Sequence, residues 1–116
     1  MQTLILEKES NLNIQFKARW ARNLWHRFVG LLATPVLNQN EGLLLSPCSS
    51  VHTMWMRYSL DLIFMDKQGR VLKCVENVRP FRTASAKWAH YTLELPTGTI
   101  DSAGVVVGNR FTWSTN

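Results

Sequence analysis

Between Cys48 and Asp61 the chain gathers a thiol, an imidazole, two thioethers, a guanidinium and a carboxylate: Cys48, His52, Met54, Met56, Arg57 and Asp61. Three kinds of chemistry fit these types. A Cys48 thiolate and a His52 imidazole could form a nucleophile–base pair, provided the two meet in space with a third group orienting the base. Free cysteine also fills cores as a small apolar residue, and histidine is often a hydrogen-bonded structural residue, so the structural reading of this pair is preferred. No residue is therefore assigned a catalytic role.

Soft-metal binding is the second chemistry. Thiolate and thioether ligands select Cu(I), and Cys48, His52, Met54 and Met56 supply them. Alternate residues of a strand lie about 6.5–7 Å apart, however, so His52, Met54 and Met56 converge on one ion only where the strand bends. Methionine on a strand is more often packing, and no metal site is assigned. The third feature is Asp61, an acid between Leu60 and Leu62, which is either exposed by alternation or buried and paired. Arg57 is a candidate partner, but four strand residues span ~13 Å, so pairing needs a turn at Tyr58-Ser59. An Arg57–Asp61 clamp is preferred over catalysis. His52, Met54, Met56, Arg57 and Asp61 remain the candidate ligand-binding set, for an unknown small ligand or protein partner, with no cofactor specified.

These residues need elements to position them. From Val51 to Tyr58, strand geometry puts His52, Met54, Met56 and Tyr58 on one face and Val51, Thr53, Trp55 and Arg57 on the other. Leu60 to Met65 is an apolar strand interrupted by Asp61. Asp66-Lys67-Gln68-Gly69 reads as a type I turn completed by positive φ at Gly69. Arg70 to Val75 returns, with Val71, Lys73 and Val75 opposite to Leu72 and Cys74. Upstream, Thr3–Glu9 and Leu12–Lys17 flank Ser10-Asn11 as a β-hairpin. Leu43–Leu45, bounded by Gly42 and Pro47, reads as a short buried strand. Downstream come the strand Tyr91–Leu95, a short helical turn over Thr99–Gly104 and a last strand, Arg110–Trp113.

Trp20, Leu24, Phe28, Leu31 and Leu32 recur at helical spacing, which predicts a helix from Trp20 to about Ala33, before Pro35. An acid-free stretch rich in Trp, Phe and Arg also suits an interfacial membrane helix. The core stripe accounts for every apolar position in it except Trp25 and Val29, so the core reading is preferred. Arg79, Arg82 and Lys87 surround Phe81 and Trp88, a combination that could hold phosphate or a nucleic-acid strand. No recognised nucleic-acid motif accompanies them, and the expectation is a loop whose aromatics anchor it to the core.

The totals set bounds. At 116 residues, with 46% apolar and 18% charged content, the chain fits one globular domain, residues 1–116. Its formal charge of +5 favours acidic partners by raising their local concentration, without shaping a site for them. Cys48 and Cys74 form no CxxC pair and no disulfide framework. No secretory signal is recognised, and no run approaches the ~20 apolar residues of a membrane span, so a cytoplasmic location is expected.

Several blocks together resemble the domain of unknown function 192 family: RNLWHRFVGLL at 22–32, EGLLLSPCSSVHTMWMRYSLDLIFMDKQGRV at 41–71, the Arg79-Pro80-Phe81-Arg82 loop, LELPTG, and the later VGNR. The resemblance implies a compact, mainly β (α+β) domain with one helix in the N-terminal half. The period reading arrives separately at a mainly β domain with one helix, and the architecture expected is an antiparallel sheet or sandwich-like barrel. Ser59 and Asn109 depart from the proline and aspartate usual in that family. The resemblance carries no reaction, because a fold does not establish chemistry. The functional expectation is a non-enzymatic ligand- or protein-binding accessory module; the alternatives are a Cys/His-dependent, perhaps hydrolytic, enzyme, and a basic surface meeting membrane or nucleic acid.

Overall fold

Period-two alternation builds the first hairpin. Leu4 and Leu6 of β1 (Gln2–Glu7) and Phe16 and Ala18 of β2 (Ile14–Ala21) bury their side chains, while the residues between them face outward or are half-covered. The register pairs Leu4 with Phe16 and Leu6 with Ile14. The computed structural model describes residues 2–7, 14–21, 41–53, 56 and 58–113. The expected hairpin is present, with its turn outside the described residues.

Among the described residues, seven strands share one sheet. Its remaining members are β3 (Glu41–Leu45), β5 (Leu60–Met65), β6 (Val71–Val78), β8 (Tyr91–Pro96) and β9 (Arg110–Trp113), in the order β6-β5-β8-β3-β2-β1-β9. An Arg70–Arg110 bridge joins the sheet's two edges, with Val71 N–H donating to Asn109 O at 2.8 Å and Phe111 N–H to Gly69 O at 2.9 Å. The sheet thus curls into a barrel that is tied shut at this end. Two short strands, β4 (Ser50–His52) and β7 (Thr83–Ser85), pair as a second sheet. A five-residue helix, α1 (Thr99–Ala103), follows β8, and the whole is compact, with a radius of gyration of 12.8 Å.

Two apolar clusters hold these layers. Inside the barrel, Leu4, Phe16, Leu44, Ile63, Leu93 and Phe111 pack with Ile100 and Ala103 of α1. On the outer face, Leu43, Leu45, Leu62 and Phe64 are covered by Cys48, Val51 and Ala86 from the small-sheet region. Strands β3, β5 and β8 are therefore buried on both faces, which explains why LLL and LDLIFM are continuous runs rather than alternating ones.

Four sequence expectations need correction. The large sheet is mixed, because β2 and β3 run parallel, with Trp20 opposite Leu44. Trp20 and Ala21 end strand β2 rather than opening a helix; the remainder of that expected helix lies outside the described residues. The strand expected from Val51 to Tyr58 stops at His52, because the chain turns there: Met56 N–H donates to Thr53 O at 3.2 Å. Finally, Val71 and Cys74 pack toward the same cluster. The β5–β6 register steps from Phe64–Lys73 to Met65–Val71, leaving Leu72 as an extra residue that reverses the alternation.

Candidate functional site

Burial separates the first two candidates. Cys48 is buried in the outer cluster, its Sγ donates to Ser50 O at 3.3 Å, and its backbone N–H donates to His90 O at 2.8 Å. His52 is exposed on β4, opposite Thr83 of β7. Among the described residues the two side chains share no hydrogen bond. Met56 is buried and follows a turn, so it does not extend His52's face. Met54 and Arg57 lie outside the described residues. Among the described residues, no three His, Cys, Asp or Glu side chains gather closely enough to hold a metal.

Asp61 is fully buried, and its carboxylate is engaged at both oxygens. Oδ1 accepts from Asn77 N–H and Oδ2 from Ile100 N–H, each at 2.9 Å. Each donor is freed by its own local geometry. Asn77, at φ 53, sits in a second bulge of β6, where the register jumps from Leu62–Val75 to Leu60–Val78. Ile100 lies in the first turn of α1, whose N-cap is Gly98 and which receives no side-chain cap from its own segment. Asp61 thus caps a helix 39 residues away and ties it to the bulge.

Thr53, which no sequence pattern singles out, is the hub of the Arg79–Arg82 loop. Its Oγ1 donates to Arg79 O at 2.7 Å and accepts from Arg82 N–H at 2.8 Å. Its backbone N–H donates to Arg82 O at 2.8 Å, and its carbonyl accepts from Phe81 N–H at 3.0 Å. This clamp holds Phe81 at φ 62 with 70% of its surface exposed. At the other end of β7, Trp88 has φ 72 and 80% exposure, with Lys87 Nζ 5.2 Å from its ring centre. The expectation that these aromatics anchor the loop to the core is therefore overturned. A groove of about 380 Å³ runs beside the loop, lined by Asn77, Arg79, Arg82 and Thr83, among others.

Two further groups were not foreseen. Glu94 is buried on the outer face of β8, between Leu43 and Leu62 in register. Burial, with Glu94's negative charge adding to it, raises the Tyr58 pKa. Cys74 is a poor nucleophile: burial first, then Glu76 and Asp61, push its pKa up to about 11.

Comparison with known sequences places the chain. A family model for domain of unknown function 192, described as an uncharacterized ACR, matches residues 5–113. The chain belongs to that family. A UPF0127 protein of Pyrococcus furiosus is 32% identical over 105 residues, covering 87% of this chain and 90% of its own length. A UPF0127 protein of Thermococcus sibiricus is 30% identical over 102 residues; the match covers 84% of this chain but only 66% of that protein. Two crystal structures share the fold at 21% identity. One is that of a "putative transcription regulator" from Sinorhizobium meliloti 1021, with a TM-score of 0.86 over 97% of this chain and 92% of its own. The other, a protein of unknown function from Novosphingobium aromaticivorans, has a TM-score of 0.83 over 96% and 84%.

Asn109, one of the two residues that depart from the resemblance, sits in the turn before β9. Its Oδ1 accepts from Val106 N–H at 3.0 Å, so the uncharged side chain supplies the turn's acceptor. Among the described residues no helix is long and apolar enough to cross a membrane.

Proposed function

We propose that this chain is a non-enzymatic protein-binding module whose recognition face is the β4–β7 sheet with its two flanking loops. The observation that carries the reading is the paired exposure of Phe81 and Trp88, each in left-handed backbone. That conformation costs an L-residue roughly 1–2 kcal/mol, and exposing the ring gains nothing in the free chain. The fold maintains both through Thr53 and the turn at Ala86–Ala89. Exposed Trp and Phe flanked by Arg79, Arg82 and Lys87 match the composition of interface cores, where aromatics and arginine dominate. The basic flank selects a partner with an acidic rim around an apolar pocket. His52 is exposed on the same small sheet and belongs to this face. Met56 N–H donates to Thr53 O, and Asp61 accepts from Asn77 N–H ahead of the Arg79–Arg82 loop, so both buried residues connect to the segments that carry the face.

The enzyme alternative draws less support, since Cys48 is buried with its thiol bonded to a carbonyl while His52 faces outward. The test is photo-crosslinking in cells, with a photoreactive amino acid in place of Trp88 and, separately, of exposed Ser102 on α1. A discrete protein adduct from position 88 alone is expected. No adduct, or the same adducts from both positions, overturns the reading. Adducts to nucleic acid alone transfer the face to the nucleic-acid alternative.

A further inference from the structure

At the tied end of the barrel, outside the two-stranded β4–β7 sheet, lies a second concavity. It is a cleft of about 230 Å³ lined by Lys67, Gln68, Tyr91, Arg110, Thr112 and Trp113, with Phe111 at its base. In the sequence Lys67 and Gln68 read only as turn residues, and the others have no role beyond their strands.

Three features make this cleft a built site. Its aromatic wall is a corner, not a stack: the Tyr91 and Trp113 rings meet at 90° with centres 4.9 Å apart, and Trp20 stands behind both at 6.0 and 6.4 Å. A flat ring can therefore lie on one face while the other closes its edge. The rim is held rigidly. Phe111 N–H donates to Gly69 O at 2.9 Å, and a Cβ on Gly69 would come 3.2 Å from the Trp113 ring, so the β5–β6 turn is packed against that indole. The rim is also cationic. Arg110 Nε donates to Gln68 O at 3.2 Å, and among the described residues its two terminal nitrogens carry no bond. Lys67 also lines the cleft, and among the described residues no carboxylate does; Glu7, the register partner of Arg110 on β1, is not among the lining residues.

We propose that this cleft binds a small planar anion, an aromatic carboxylate of one or two rings, with the ring against the Tyr91–Trp113 corner and the carboxylate on Arg110 and Lys67. A guanidinium fixed through its Nε offers the bidentate geometry a carboxylate needs, and a preformed apolar wall reduces the ordering required on binding. Barrel mouths are recurrent places for such pockets. Neither Phe81 nor Trp88 lines this cleft.

The test is a titration of the isotopically labelled full chain with indole-3-acetate, followed through backbone amides and indole N–H signals. Indole-3-acetamide is the uncharged control. Saturable shifts centred on Lys67, Gln68, Thr112 and Trp113 are expected. The amide should bind at least about fivefold more weakly, and so should the acid to the K67Q/R110Q double variant, whose altered side chains are both exposed and leave the core intact. A ratio below that in either comparison, or shifts that never saturate, overturns the proposal.

Discussion

Substituting Asp61 with asparagine puts the reading of the buried carboxylate at risk. The side chain keeps its volume but loses its charge and one of its two acceptors. Asp61 accepts two backbone N–H bonds of 2.9 Å, and bonds to a charged acceptor contribute about 1.5–3 kcal/mol each. Replacing a buried charge by an uncharged group is often harmless when its partners are replaced too, because desolvation is relieved. Here the partners are main-chain amides and cannot be removed. The asparagine oxygen can satisfy one of them, while its NH2 confronts the other donor. The Ile100 bond is buried whereas the Asn77 bond is only partly so, so the oxygen should stay with Ile100. The net loss for Asp61→Asn is then about 2 kcal/mol, and for Asp61→Ala, which leaves both donors and a small void, about 4 kcal/mol. With a urea m-value of about 1.5 kcal/mol/M, the asparagine variant should unfold ~1.3 M earlier than wild type. Hydrogen exchange supplies the sharper check: the Asn77 amide should lose protection before Ile100 does. A midpoint within ~0.3 M of wild type, with both amides equally protected, would refute the reasoning.

Three more outcomes follow from the same geometry. Thr53→Val keeps the shape but removes the hydroxyl that bonds Arg79 O and Arg82 N–H, so it should cost about 2 kcal/mol in urea unfolding and shift the Phe81 and Arg82 amide signals. Gly69→Ala places a Cβ against the Phe111 carbonyl at φ +83 and should cost roughly 3 kcal/mol by the same assay; a loss below ~1 kcal/mol would contradict the packing of this turn. Cys74 has a pH signature. Its thiol holds its proton up to about 11 in the folded chain, against an ordinary value of 9.0, so between these values the unfolded chain has lost a proton that the folded one keeps. Stability from this group is complete below 9.0 and is lost as pH climbs toward about 11. Cys74→Ser should flatten the fall in urea midpoint between about pH 8.5 and about pH 11, and an unchanged slope would remove Cys74 as its source.

What could be read from the sequence was what depends on neighbours along the chain. The β1–β2 alternation, the Asp66–Gly69 turn and the strand at Tyr91 each declare themselves within a handful of residues. The Asp66 turn does so through its own side chain, which accepts from Gln68 and Arg70 N–H at 2.9 and 3.0 Å. Phase was lost where one residue was added. Nothing in RVLKCVEN marks Leu72 or Asn77 as extra, because a bulge is fixed by the partner strand's register, and β5 supplies that only once paired. Trp20 fits a helical stripe and a strand end equally well, and its place beside Leu44 in a parallel pair settles the matter for the strand.

The candidate site was legible as a region but not as a set of roles. Asp61 stood out because an acid inside an apolar run must be paired, yet the partners seen among the described residues are amides 16 and 39 residues away, orphaned by a bulge and by a helix start. A search for a cationic side chain could not find them, since backbone donors carry no letter in the sequence. Thr53 was overlooked for the same reason: the bonds by which it holds the loop all go to the main chain of residues 79, 81 and 82. These two polar residues together determine where Phe81 goes. Asp61 pins the bulge at Asn77, two residues before Arg79, and Thr53 pins Arg79 through Arg82, so between them they fix both sides of the turn that exposes Phe81. A mutation at either should therefore weaken binding at the β4–β7 face without touching it, and Thr53→Val should do so at a smaller cost in stability than Asp61→Ala. Equal binding by a folded Thr53→Val variant and wild type would mean that Phe81 finds its partner without the clamp, and Trp88 alone would then carry the recognition.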